Sequence, residues 1–132
     1  MFGELNNMKV KNIDDYGVYF DNGDYIGWYH YQDCCENNWP DFRQLKDTGI
    51  FNEKFNTPLT FERCEYGFRF GNEGKMYYVP CYSDQNGYYS YEVEISYFDH
   101  NTKESSYVLE DVDCEEESYC EWDTKNDFVK VN

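Results

Sequence analysis

The chain has 132 residues, 21% of them aromatic, and carries 27 Asp+Glu against 11 Lys+Arg, a formal net charge of −16. That balance excludes nucleic acid and anionic membrane surfaces as direct partners, since both need basic patches. No apolar run comes near the ~20 residues of a helical bilayer crossing. The length fits one domain with a core of its own. The aromatic content separates it from disordered chains despite a mean hydropathy of −0.95.

Residues 8–31 alternate as strands do. MKVKNI is followed by GVYFDNGDYIGWYHY, with Asp21-Asn22-Gly23-Asp24 at its middle. Asn-Gly supplies the positive φ angles of a tight turn, so 16–20 and 24–31 are expected to pair as a hairpin. DCCENNWP then leaves the sheet, because Pro40 cannot donate to a ladder. Residues 40–48, PDFRQLKDT, predict a short helix, with Pro40 in its first turn, Lys46 late and Gly49 ending it. Asn56-Thr57-Pro58 reads as a loop. LTFERCEYGFRF resumes the strand pattern, GNEG turns, and KMYYVPCY alternates again. A second Asn-Gly turn at Asn86-Gly87 leads to YYSYEVEISYF, then to a polar loop in which His100 is expected to be exposed and inert. SSYVLEDVDC, SYCEWD and DFVKVN predict further short strands.

The expected fold is α+β, mainly antiparallel β, a small single domain with one short helix over residues 1–132. Within it, 8–96 form the β core and 104–132 an acidic C-terminal extension packed on it. Nine carboxylates lie between Glu104 and Asp123 with no basic residue among them: Glu104, Glu110, Asp111, Asp113, Glu115, Glu116, Glu117, Glu121 and Asp123. Such a run suits a basic partner, a cation, or solvation alone.

Chemistry concentrates in His30-Tyr31-Gln32-Asp33-Cys34-Cys35-Glu36. The start of the chain lacks a signal-peptide h-region, which points to the cytoplasm. There, six cysteines are expected as thiols or metal ligands rather than disulfides. Zinc takes four N/S ligands in a tetrahedron. His30, Cys34 and Cys35 can share one ion if 33–36 is a turn, and a further ligand would come from Cys81, Cys64, Cys114 or Cys120. The same residue types permit a nucleophile with its base and orienter (Cys34 or Cys35, His30, Asp33), or a metal-dependent hydrolase using His30, Asp33, Cys34 and Glu36. Phosphate-cradling glycine motifs are absent.

Two segments carry a resemblance. His30 to Glu36 resembles the H-x-x-D-C-C-E motif of a small domain family of phages and bacteria. Asn86-Gly87-Tyr88-Tyr89-Ser90, followed by Val93, resembles that family's N-G-Y-Y-S-x-x-V motif. The likeness spans roughly residues 8–96. Gln85 departs from the usual Ser, and Cys81 stands where an aromatic residue is usual. The resemblance implies a prophage setting within a host bacterial cell, and it favours Cys81 as the further zinc ligand by placing the second motif near the first. In size, acidity and its Cys/His cluster the chain is also similar to phage anti-CRISPR inhibitors of Cas9. The expected function is therefore an acidic, non-enzymatic inhibitor, a DNA mimic that blocks DNA loading or activation of a basic host protein of the Cas9 type. Its shape would be held by a structural zinc, and its contact face would run from Glu110 to Asp123, with Tyr107, Tyr119 and Trp122 as anchors.

Overall fold

A computed structural model describes residues 7–30, 36–85 and 91–116. It is built almost wholly from antiparallel strands: β1 (Asn7–Asp14), β2 (Gly17–Phe20), β3 (Tyr25–Tyr29), β4 (Glu36–Pro40), β5 (Lys54–Asn56), β6 (Thr60–Cys64), β7 (Gly67–Asn72), β8 (Lys75–Gln85), β9 (Glu92–Asp99), β10 (Glu104–Asp113) and β11 (Glu115–Glu116). One sheet has the order β10-β9-β3-β2-β1-β5. The other runs β11-β8-β7-β6, with β4 also paired to β8. The short β11–β8 pair is parallel.

Alternation decides which side chains meet. Val18, Phe20, Ile26, Val93, Ile95 and Val112 from the first sheet join Phe68, Phe70, Val79 and Cys81 from the second in one core. In β1 the register slips between Val10 and Asn12. This bulge lets Met8, Val10 and Ile13 all be buried although their spacing is uneven. Aromatic rings link the layers. Phe55 meets Phe20 edge-on at 5.9 Å and Phe70 at 6.2 Å, and Phe61 meets Tyr97 at 6.1 Å.

The first hairpin forms as expected, with Gly23 at φ +101° and the Phe20 N–H donating to the Asp24 carbonyl at 2.9 Å. Three expectations change. The predicted helix over 40–48 is a 3-10 helix, Phe42–Asp47, followed by a second, Ile50–Asn52. Phe42, Leu45 and Ile50 are its core anchors, and the Leu45 carbonyl takes the Thr48 N–H at 3.1 Å, a bond that ends the turn. The segment before Pro40 leaves the first hairpin's sheet as expected, but ladder pairing does not stop there: Glu36–Pro40 joins the second sheet, residue by residue against Cys81–Gln85. Proline is tolerated because it closes the strand. LTFERCEYGFRF is not one strand but two, folded at Glu65-Tyr66, with Tyr66 at φ +59°. The Tyr78 hydroxyl lies 3.0 Å from both carbonyl oxygens of that turn. SSYVLEDVDC is a strand as expected, β10, at the margin of the six-stranded sheet, and Val112 and Cys114 belong to the core.

Candidate acidic interface and buried polar cluster

β10 pairs with β9 through a ladder that shifts register between Tyr107 and Leu109 and again between Leu109 and Val112. The second shift puts Glu110 and Asp111 on a bulge, with Asp111 in the left-handed region at φ +58°. Glu104, Glu110, Asp111, Asp113, Glu115 and Glu116 are all exposed. None of them takes part in an ion pair among the described residues. Arg63 reaches this bulge from β6, but its Nη1 donates to the Glu110 main-chain oxygen at 2.8 Å and leaves the carboxylate free for solvent. Tyr107 stands 53% exposed on the same strand. Of the expected contact residues, Glu117, Glu121, Trp122 and Asp123, with Tyr119, lie outside the described residues.

The expected zinc ligands divide in the same way. Cys34 and Cys35, with Asp33, lie outside the described residues, as does Cys120. His30 follows β3 and lines a cavity of about 580 Å³ with Tyr25, Gly27, Tyr29 and Ser96. Cys81 is fully buried in β8. Its thiol shares a hydrogen bond with Cys114, and that bond and burial push it far above the ordinary thiol range. Cys81 thus sits in the apolar core beside a second buried thiol, Cys114. Cys64, half-buried at the end of β6, rests against the Glu62 carbonyl at 4.0 Å.

A cluster that sequence reading passed over lies beyond the first hairpin. Asp24 is 4% exposed. Its carboxylate accepts the Tyr97 hydroxyl, the His100 main-chain N–H at 2.8 Å, and His100 Nδ1–H at 2.5 Å. The Asp24 N–H donates to Asn22 Oδ1 at 2.9 Å, an Asx turn that fixes the residue's entry into β3. Burial pushes the Asp24 carboxyl up, but the Tyr97 and His100 donors together outweigh it and hold the group below the usual carboxylate range. Burial, and then the Asp24 carboxylate, push the Tyr97 phenol well up. His100 is thus clamped rather than inert, with its ring 39% exposed. Oxygen and nitrogen atoms of Asp24, Asp99 and His100 lie within 4.8 Å of one another, beside a cavity of about 470 Å³ that Thr57, Pro58 and Asn101 help to line. The arrangement pins the β9–β10 turn onto the β2–β3 turn.

Two further buried polar residues are satisfied. Ser83 Oγ donates to Asn38 Oδ1 at 2.5 Å, and Asn38 Nδ2 donates to the Glu92 carbonyl at 3.2 Å, so β4, β8 and β9 are laced together. No helix among the described residues is long and apolar enough to cross a membrane. In comparisons by sequence and by fold, no protein-family model, curated protein or solved structure matches this chain.

Proposed function

We propose that this protein acts by binding: its acidic sheet edge docks on a Lys/Arg-rich groove of a host nucleic-acid-handling protein and competes with the phosphate backbone that the groove serves. The observation that carries this reading is the β10–β11 margin, where six exposed carboxylates from Glu104 to Glu116 have no cationic partner among the described residues. A bulge pushes two of them outward. A field of one sign raises the rate of encounter with an oppositely charged cleft. The likeness to phage inhibitors narrows the partner to a Cas9-type effector, whose groove carries guide–target duplex. Inhibition of this kind needs no turnover.

A structural zinc held by His30, Cys34 and Cys35 belongs to the same proposal. Cys81, the further ligand in that proposal, lies in the core beside Cys114.

The test is association with a purified Cas9-type effector across a salt series, with Glu110→Lys, Asp113→Lys and Glu115→Lys combined. The reversal should slow association at least tenfold at low salt, with little change in dissociation. Binding indifferent to both the reversal and the ionic strength would remove the acidic edge as the contact surface. Metal analysis of the purified chain tests the zinc separately: Cys34→Ser with Cys35→Ser should lose the ion, and metal retained in that variant would place the ligands elsewhere.

A further inference from the structure

The outer face of the six-stranded sheet carries a second feature. Register places Tyr19, Tyr25, Phe98 and Ser105 side by side across β2, β3, β9 and β10. The next row is Gly27, Ser96 and Tyr107, and the row beyond it begins Tyr29, Glu94. In the first row Tyr25 stacks on Phe98 at 4.8 Å and 13° between planes, and Tyr19 meets Tyr25 at 5.6 Å, tilted by 45°. The middle row has a hydrogen and a hydroxymethyl where its neighbours have rings. Tyr25 leans over Gly27, where an added Cβ would meet its ring at 3.6 Å, and Tyr29 stands on the far side of that low row.

The result is a trough. The cavity of about 580 Å³ beside His30 shares Tyr29, Ser96 and Ser105 with a second of about 280 Å³ that ends at Tyr107. Cross-strand stacking explains Tyr19, Tyr25 and Phe98 as sheet stabilisers. It does not explain Tyr29 and Tyr107, which are 49% and 53% exposed and stack on no ring among the described residues. Among the described residues, no Lys or Arg lines either cavity. Glu94 lies across from Tyr29.

We propose that this trough receives an arginine side chain from the basic partner protein. A guanidinium is planar, stacks on phenol rings, and carries five N–H donors for hydroxyls and a carboxylate. A lysine ammonium matches the charge but not the slab shape, and a neutral ligand forgoes attraction to a chain of net charge −16. The inference rests on the docking reading for its choice of a basic protein as the source of that side chain.

The probes are three peptides of equal length, alternating glycine with arginine, lysine or the neutral isostere citrulline, titrated calorimetrically into the intact chain. Arginine should bind, lysine should bind roughly threefold or more weakly, and citrulline should not bind measurably. Tyr29→Ala and Tyr107→Ala, both at exposed positions that the core does not need, should each weaken the arginine peptide by roughly 3- to 30-fold, the range expected of a cation–π contact. Melting curves show whether each variant is folded. Equal binding of arginine and lysine, unchanged binding by both tyrosine variants, or saturation by a neutral disaccharide in place of arginine would overturn the proposal. The two readings fail separately. If the tyrosine variants bind the effector normally while the edge reversal does not, the trough is wrong and the docking edge stands. An arginine peptide seated in the trough of a chain that binds no effector supports the trough alone.

Discussion

Asp24 shows how a single buried charge can organise two turns. Three donors converge on its carboxylate, two of them from the loop that joins β9 to β10. Replacing the carboxylate by its amide keeps the shape but turns one acceptor into a donor facing donors. Asp24→Asn should therefore destabilise the fold by about 1–3 kcal/mol at neutral pH, measured by denaturant unfolding. The pH dependence follows from the direction of the shift. Because the folded carboxyl titrates below its ordinary value of 3.8, its contribution is complete above that value and is lost as pH falls through the folded value. The stability gap between wild type and Asp24→Asn should accordingly close on acidification below about 4. A gap that widens toward low pH would mean that the carboxyl is buried neutral. At Cys81 the outcome is structural: Cys81→Ser should cost about 1–3 kcal/mol, since a hydroxyl replaces a thiol in an apolar site. Little of the Asp24 cluster could be read from sequence. Asp24 belongs to an evident turn signal, but Tyr97 and His100 lie more than seventy residues away, and no spacing rule announces a contact that only sheet order creates.

At the scale of elements, turn chemistry was legible where glycine and asparagine carried it, and illegible where an aromatic residue did. Asp21-Asn22-Gly23-Asp24 announced its hairpin. The Glu65-Tyr66 turn is closed instead by Gly67, the residue after it, where an added Cβ would collide with the Val79 carbonyl oxygen, and by the hydroxyl of Tyr78. The helix expected from Pro40, Asp41 and Lys46 met its end signals but became 3-10, because only Phe42 and Leu45 are buried over those residues, too short an apolar stripe for two full turns. β10 carries the next prediction. Its bulge holds Asp111 at φ +58°, a conformation that costs a side-chain-bearing residue about 1 kcal/mol relative to glycine. Asp111→Gly should leave stability unchanged or raise it by up to about 1 kcal/mol, whereas the β-branched Asp111→Val should lower it by at least that much. Thermal unfolding of the pair, read side by side, checks the bulge. The same irregularity keeps an exposed strand from recruiting another, a protection that exposed carboxylates reinforce. Edge protection and partner docking thus draw on the same residues, and only an association measurement separates them.

The whole molecule is a compact sheet pair that must hold a formal charge of −16 together. Of the ion pairs among the described residues, Arg43–Asp15 and Arg69–Glu62 join exposed groups and offset little of that. What opposes the repulsion is the aromatic core, in which Phe42, Phe55, Phe68 and Phe70 are fully buried and bring large apolar area per residue. Repulsion of this kind acts over the Debye length, about 10 Å at 0.1 M salt and about 3 Å at 1 M. Raising sodium chloride from about 0.01 M to about 0.5 M should therefore raise the melting temperature by several degrees, since each kcal/mol is worth roughly 3–6 °C in a domain of this size. Most of the gain should arrive below about 0.2 M, where screening changes fastest. Edge reversal at Glu110, Asp113 and Glu115 lowers the net charge from −16 to −10, each Glu→Lys or Asp→Lys step adding two. That variant should melt higher at low salt and show a smaller salt response, while binding a basic partner more slowly. The opposite signs matter: a surface retained for stability gains nothing from such a concentration of charge, whereas a surface retained for docking accepts lower stability in exchange for encounter rate. If the reversed chain were instead less stable at every salt concentration, the carboxylates of the edge would be holding the fold together, and the docking interpretation of that margin would lose its physical basis.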